Sequence, residues 1–140
     1  MAAAAAAESP LWGDALRADP EREHVFSPLA PELYALGFET IYEGYLLHYG
    51  RPRLFATPDA DTALLLGDYL YAHGLVRIAA AGSVEAVAEL AELISTCAAL
   101  QADGRPGDGK AWVSAARRLG GSATPAAEER ALAAHAARVG

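Results

Sequence analysis

Cysteine is almost missing from this chain: Cys97 is the only one among 140 residues. A disulfide framework is thereby excluded, which fits a reducing cytoplasm. The lone thiol falls in the apolar pattern of a predicted helix and reads as an inert buried group, not as a nucleophile or metal ligand. Val, Ile and Thr are sparse, and no stretch shows strand alternation or a repeat of fixed period. Basic residues are also few, 11 against 18 acids, for a net charge of −7. Such a field repels phosphate backbones and anionic lipid, so it argues against nucleic-acid or membrane-surface binding. Arg51, Arg53, Arg105, Lys110, Arg117 and Arg118 are the only material for a basic patch, and they read as solubilising surface charge. No hydrophobic run is long enough to span a bilayer. The most apolar stretch, Thr62–Ala81, is broken by Asp68, His73 and Arg77 and reads as a buried helix. The Ala2–Ala7 run has no basic flank or Leu-rich centre and meets Glu8 at once, so it does not read as a signal peptide.

What is present favours helix. The apolar fraction is 53%, heavily weighted by alanine, the strongest helix former; aromatics at 8% and the larger aliphatics must supply most of the burial. Residues 1–8 read as a disordered low-complexity tail and 9–140 as one helical domain with its core at about 28–102, a length that supports a proper core. The spacing predicts a short helix over Pro10–Arg17, stopped by Asp19-Pro20. Ser27-Pro28 then offers a cap and a first-turn proline for a helix running to Gly50, where Arg51-Pro52-Arg53 cannot continue it. One face of that helix carries Phe38, Tyr42, Tyr45 and Tyr49, another Leu33, Leu36 and Thr40, leaving only a narrow wet side. A helix from Pro58-Asp59 to Ala81 is apolar nearly all round and is expected at the centre of the domain. Ser83 caps a third long helix from Val84 to about Gln101. After the loop Ala102–Gly109, two weaker helices cover Lys110–Leu119 and Pro125–Arg138. The last is capped by Thr124, is mostly alanine, and is expected to bury little and dock loosely.

The chemistry is sparse. His24, His48, His73 and His135 stand too far apart for a local ligand pair. Phosphate loops and nucleophile elbows are missing, and Gly120-Gly121-Ser122, with no strand before it, reads as a linker. One polar residue stands out: Asp68, beside Gly67 in the apolar helix, on a face expected to be buried. A buried carboxylate needs a partner, and Arg51, Arg53 or Tyr45 can supply it; the same position also suits the edge of a ligand cavity. Gly67 and Gly74, seven residues apart, allow another backbone to approach that helix closely.

Thr62–Leu100, TALLLGDYLYAHGLVRIAAAGSVEAVAELAELISTCAAL, resembles the helical hairpin of the trans-polyprenyl diphosphate synthases. In that family an AxLLGDYLLARA helix is followed by a GD or GS turn and a helix rich in Ala, Glu and Leu. Tyr49-Gly50-Arg51-Pro52-Arg53 resembles the RRGxPT stretch that precedes it. The likeness covers about Leu33 to Leu100 and implies an all-α helical bundle with part of the isoprenoid synthase fold. The family's catalytic chains hold Mg²⁺ and the substrate diphosphate on two DDxxD-type motifs. Here Glu39 and Glu43 stand isolated, Asp59 and Asp61 read as helix-start acids, and the second motif's expected place falls past residue 140.

The resemblance therefore implies a small non-catalytic subunit, inactive alone, that pairs with a DDxxD-bearing chain and influences product length. Mg²⁺ is expected on the partner, no catalytic or metal-binding residue or cofactor on this chain, and a location in the cytoplasm. Phe38, Tyr42, Tyr45 and Leu46, or Leu65, Tyr69 and Tyr71, are the expected contacts with that partner or with a prenyl tail; ordinary core packing is the competing reading of each. Two alternatives stay open: a minimal self-associating prenyltransferase using Asp68, Glu39 and Glu43, and a non-enzymatic interaction or apolar-ligand-binding protein.

Overall fold

The computed structural model describes residues 10–21 and 23–139, and within them the chain is all-α. Its helices are α1 (Pro10–Ala15), α2 (Ala35–Tyr49), α3 (Ala60–Ala81), α4 (Val84–Ala102), α5 (Asp108–Arg118) and α6 (Pro125–Val139). Two 3-10 turns, Ser27–Leu29 and Glu32–Tyr34, precede α2, and a single bridge joins Leu16 to Phe55. The expected low-complexity tail at 1–8 lies outside the described residues.

Capping chemistry places three of the six helix starts where the sequence predicts them. The Asp59 carboxylate accepts from the Thr62 amide at 2.7 Å, Ser83 Oγ from Ala86 at 3.3 Å, and Thr124 Oγ1 from Ala127 at 3.2 Å. Ser27 departs from this: its side chain makes no cap, and α2 begins seven residues later than expected. The cause is Pro31, which forces Ala30 into extended backbone (ψ 161°) and breaks the segment into two short turns.

α2 is the centre of the molecule, a place the sequence had assigned to α3. Eleven consecutive residues, Gly37–Leu47, are buried. α3 buries only Leu66, Gly67, Leu70, Gly74 and Ile78, a single stripe facing α2. The two helices run antiparallel in a register set by glycine. A Cβ on Gly44 would lie 2.9 Å from the carbonyl oxygen of Gly67, and one on Gly37 would lie 3.3 Å from that of Gly74. Both members of each pair are bare, so the backbones meet without intervening side chains.

The core also reaches well past residue 102. Trp112 of α5 stacks on Phe26 with 5.6 Å between centroids and meets Phe38 and Tyr42 edge-on, each at 5.1 Å. α6 is not loosely laid on: Ala131, His135 and Arg138 are all buried. A smaller cluster of Ala15, Leu47, Phe55, Leu66 and Leu70 lies apart from this core, with the Leu16–Phe55 bridge joining the chain beside it.

Gly44→Ala should lower stability by about 2 kcal/mol in urea unfolding, because its methyl meets rigid backbone and overrides alanine's helix preference of about 1 kcal/mol. At Gly104, which has open space but φ +63°, the same change should lose only about 1 kcal/mol. Equal losses at the two positions would contradict the glycine register.

Candidate functional site

The expected contact residues divide sharply. Phe38, Tyr42, Tyr45 and Leu46 are fully buried in the core, so none of them offers a surface to a partner. Tyr69 and Tyr71 are half-buried, and Leu65 is exposed at 59%. Asp68 corrects the reading of a buried carboxylate: its side chain is 72% exposed. A helix turns about 100° per residue, so with Gly67 pressed against α2 the next side chain swings outward. Asp68 Oδ1 lies 3.1 Å from His48 Nε2, within ion-pair distance but outside hydrogen-bond geometry. The partners foreseen for it are engaged elsewhere: Arg51 with α6, Arg53 with two glutamates, Tyr45 with Asp108.

Those two glutamates form the first polar centre. Glu39 and Glu43 sit four residues apart on α2, hence on one face, and both are buried. Arg53 lies between them. Its Nε donates to Glu43 Oε1 at 3.0 Å and its Nη1 to Glu39 Oε2. Four backbone amides complete the shell: Val25 (3.2 Å) and Ser27 (3.4 Å) donate to Glu39, while Arg53 (2.9 Å) and Leu54 (2.8 Å) donate to Glu43. The guanidinium also donates to the Glu23 carbonyl at 2.6 Å and sits 5.1 Å from the Tyr42 ring centroid. Burial pulls its pKa down, but the two carboxylates push it up and prevail, so Arg53 stays charged. The sequence reading took these acids as isolated; the Glu-x-x-x-Glu spacing followed by Arg53 was the available signal.

The second centre joins α2, α5 and α6. Tyr42 Oη lies 2.7 Å from His135 Nδ1, and His135 Nε2 lies 2.8 Å from Asp108 Oδ2. Tyr45 donates to the same oxygen at 2.5 Å and accepts from Gln101 at 2.9 Å. Asp–His–hydroxyl connectivity is that of a proton relay, yet the hydroxyl here belongs to a fully buried tyrosine. Burial pushes both phenols above their ordinary range, with Asp108 adding to the effect on Tyr45, so neither ionises near neutrality. The same burial pushes the Cys97 thiol up to about 12, in keeping with an inert group. The network acts as a structural tie. Beside it, between the first turn of α5 and α6, lies an open groove of about 490 Å³ lined by Asp108, Lys110, Leu132, His135, Ala136 and Val139.

Comparison with known proteins gives no match among family models, curated proteins or solved structures. Among the described residues, no group of three or more His, Cys, Asp or Glu side chains is placed to hold a metal ion, and no helix is long and apolar enough to cross a membrane. Glu39, Glu43 and Asp68, the carboxylates of the minimal-enzyme reading, are not gathered: two are sealed inside and the third faces solvent.

Arg53→Met strands two buried carboxylates and should cost about 3–5 kcal/mol in chemical unfolding. Adding Glu39→Gln and Glu43→Gln should recover about half of that loss, since amide oxygens still accept the backbone donors without leaving charge. No recovery would mean that charge is not the source of the penalty.

Asp108 gives a pH signature. Burial raises its pKa, but hydrogen bonds from Tyr45 and His135 outweigh that and hold it below the ordinary carboxylate value. Its stabilising share is therefore complete above about pH 5 and fades as the pH falls through the lower folded-state value. The stability gap between wild type and Asp108→Asn should narrow from about pH 5 towards pH 2; a constant gap would contradict the assignment.

Proposed function

We propose that this chain is the non-catalytic subunit of a heteromeric polyprenyl diphosphate synthase. It pairs with a chain that bears the aspartate-rich motifs and influences the length of that chain's product. The supporting observation is the state of Glu39 and Glu43. They occupy the stretch ahead of the RRGxPT-like segment, where the resemblance implies that a catalytic chain carries its first acidic cluster. Ionising an allylic diphosphate requires hard carboxylate oxygens open to Mg²⁺. Here those oxygens are committed to Arg53 and four backbone amides inside the core. Mg²⁺ and the ionisation step belong to the partner on this reading, and the buried Cys97 suits the cytoplasm.

A second reading, a carrier of an apolar ligand, has the groove between α5 and α6 in its favour, with Leu132, Ala136 and Val139 along its wall.

The purified chain should make no polyprenyl diphosphate from labelled isopentenyl diphosphate and an allylic primer. A co-expressed chain with two aspartate-rich motifs should co-elute with it in size-exclusion chromatography and gain turnover or longer products. Full turnover by this chain alone, or failure of the pair to associate, would defeat the proposal. A lipid co-purifying in the absence of any partner would favour the carrier.

A further inference from the structure

The outer side of α3 carries a run of exposed residues at helical spacing. Asp61, Leu65, Asp68, Ala72, Val76 and Ala79 follow one another at intervals of three and four, and all are exposed. Leu65 and Val76 are 59% and 65% accessible, high values for side chains of that size on a long helix. Between and beyond them stand Ala72 and Ala79, small enough to let a second helix approach to the usual 8–10 Å. The inner stripe of α3 is occupied by α2, and among the described residues Leu65 and Val76 of the outer seam stay more than half exposed, while His48 of α2 reaches Asp68 at 3.1 Å.

Charge narrows the choice of occupant. Asp61 and Asp68 lie on the seam with no basic residue in it. Arg77, the only Arg or Lys of α3, is turned towards His73, with Nε 3.0 Å from His73 Nε2. A second copy would add another seam of the same sign to a chain already at −7, whereas a helix with Lys or Arg on its flanks would pair with both acids.

We propose that the outer face of α3 is a docking surface for a helix of a different chain, with a seam of Leu and Ala and basic flanks. The identity of that chain as the catalytic subunit rests on the function proposed above; the face and the chemistry of its occupant do not.

The test uses the full-length protein and a co-expressed chain with two aspartate-rich motifs, with affinity read by calorimetry. Leu65→Glu/Val76→Glu should leave the melting temperature within about 2 °C of wild type, both sites being exposed, and weaken association about 100-fold. Leu33→Glu/Leu36→Glu, exposed outside α3, should change it less than about 3-fold. Asp61→Asn/Asp68→Asn should weaken it about 10-fold at low salt and hardly at all at high salt. If the α3 variant binds like wild type, the docking surface is overturned while the functional reading stands.

If wild type forms no complex, the functional reading falls, and a labelled peptide probe decides the surface. A helix of about three heptads with a Leu/Ala seam and Lys flanks should bind wild type but not Leu65→Glu/Val76→Glu, and its Glu-flanked twin should bind neither. Equal behaviour of the two peptides, or self-association of the protein through α3, would overturn the proposal.

Discussion

Arg53 placed between Glu39 and Glu43 is the interaction on which the rest of the structure depends. Three charges that would each be costly to bury alone are neutralised together, and the surplus carboxylate charge is taken up by four backbone amides. Those amides belong to two segments outside the α-helices, the arm around Val25–Ser27 and the strip at Arg53–Leu54. Fastening the arm sets Phe26 beside Trp112, and fastening the strip sets Phe55 against Leu66 and Leu70. Both apolar clusters thus depend on one ionic contact that a hydropathy pattern registers as surface.

The Asp108–His135–Tyr42 tie works beside it by the same logic, and the Tyr42 ring touches both centres. α6 has little bulk with which to bury itself, so its attachment is polar. His135 bonds into α2 and α5, while Arg138 reaches the Arg51 carbonyl at 3.1 Å and pairs with Glu21. Hydrogen bonds to charged groups are worth more than neutral ones, which offsets the small apolar area of an alanine helix. Connectivity that looks catalytic on paper is thereby put to holding the last helix down.

Helix identity and three of the six helix starts were legible because they depend on local chemistry: Asp59, Ser83 and Thr124 cap their own helices and answer to nothing distant. Gly67 and Gly74 also signalled a close backbone, though not that Gly44 and Gly37 would be the ones to meet them. What was illegible depends on residues far apart in the chain. Glu39 and Glu43 read as isolated acids because Arg53, which joins them, lies beyond the helix end, and this hid α2 as the central helix. α3 looked central because it is apolar all round, yet that property equally describes a helix packed on one side and bare on the other. Asp68 was misread for the same reason, and Trp112 was passed over because its helix is short and its other apolar residues are small.

The central claim is that Glu39 and Glu43 are structural acids, unavailable to a metal ion. It is tested most directly by carbon-13 magnetic resonance of their side-chain carboxyls while Mg²⁺ and an isoprenoid diphosphate are titrated into the purified chain. The account predicts that both signals stay in place through millimolar Mg²⁺, whatever happens to the exposed Asp61 and Asp68. A saturable shift of either glutamate signal that follows Mg²⁺ would contradict it.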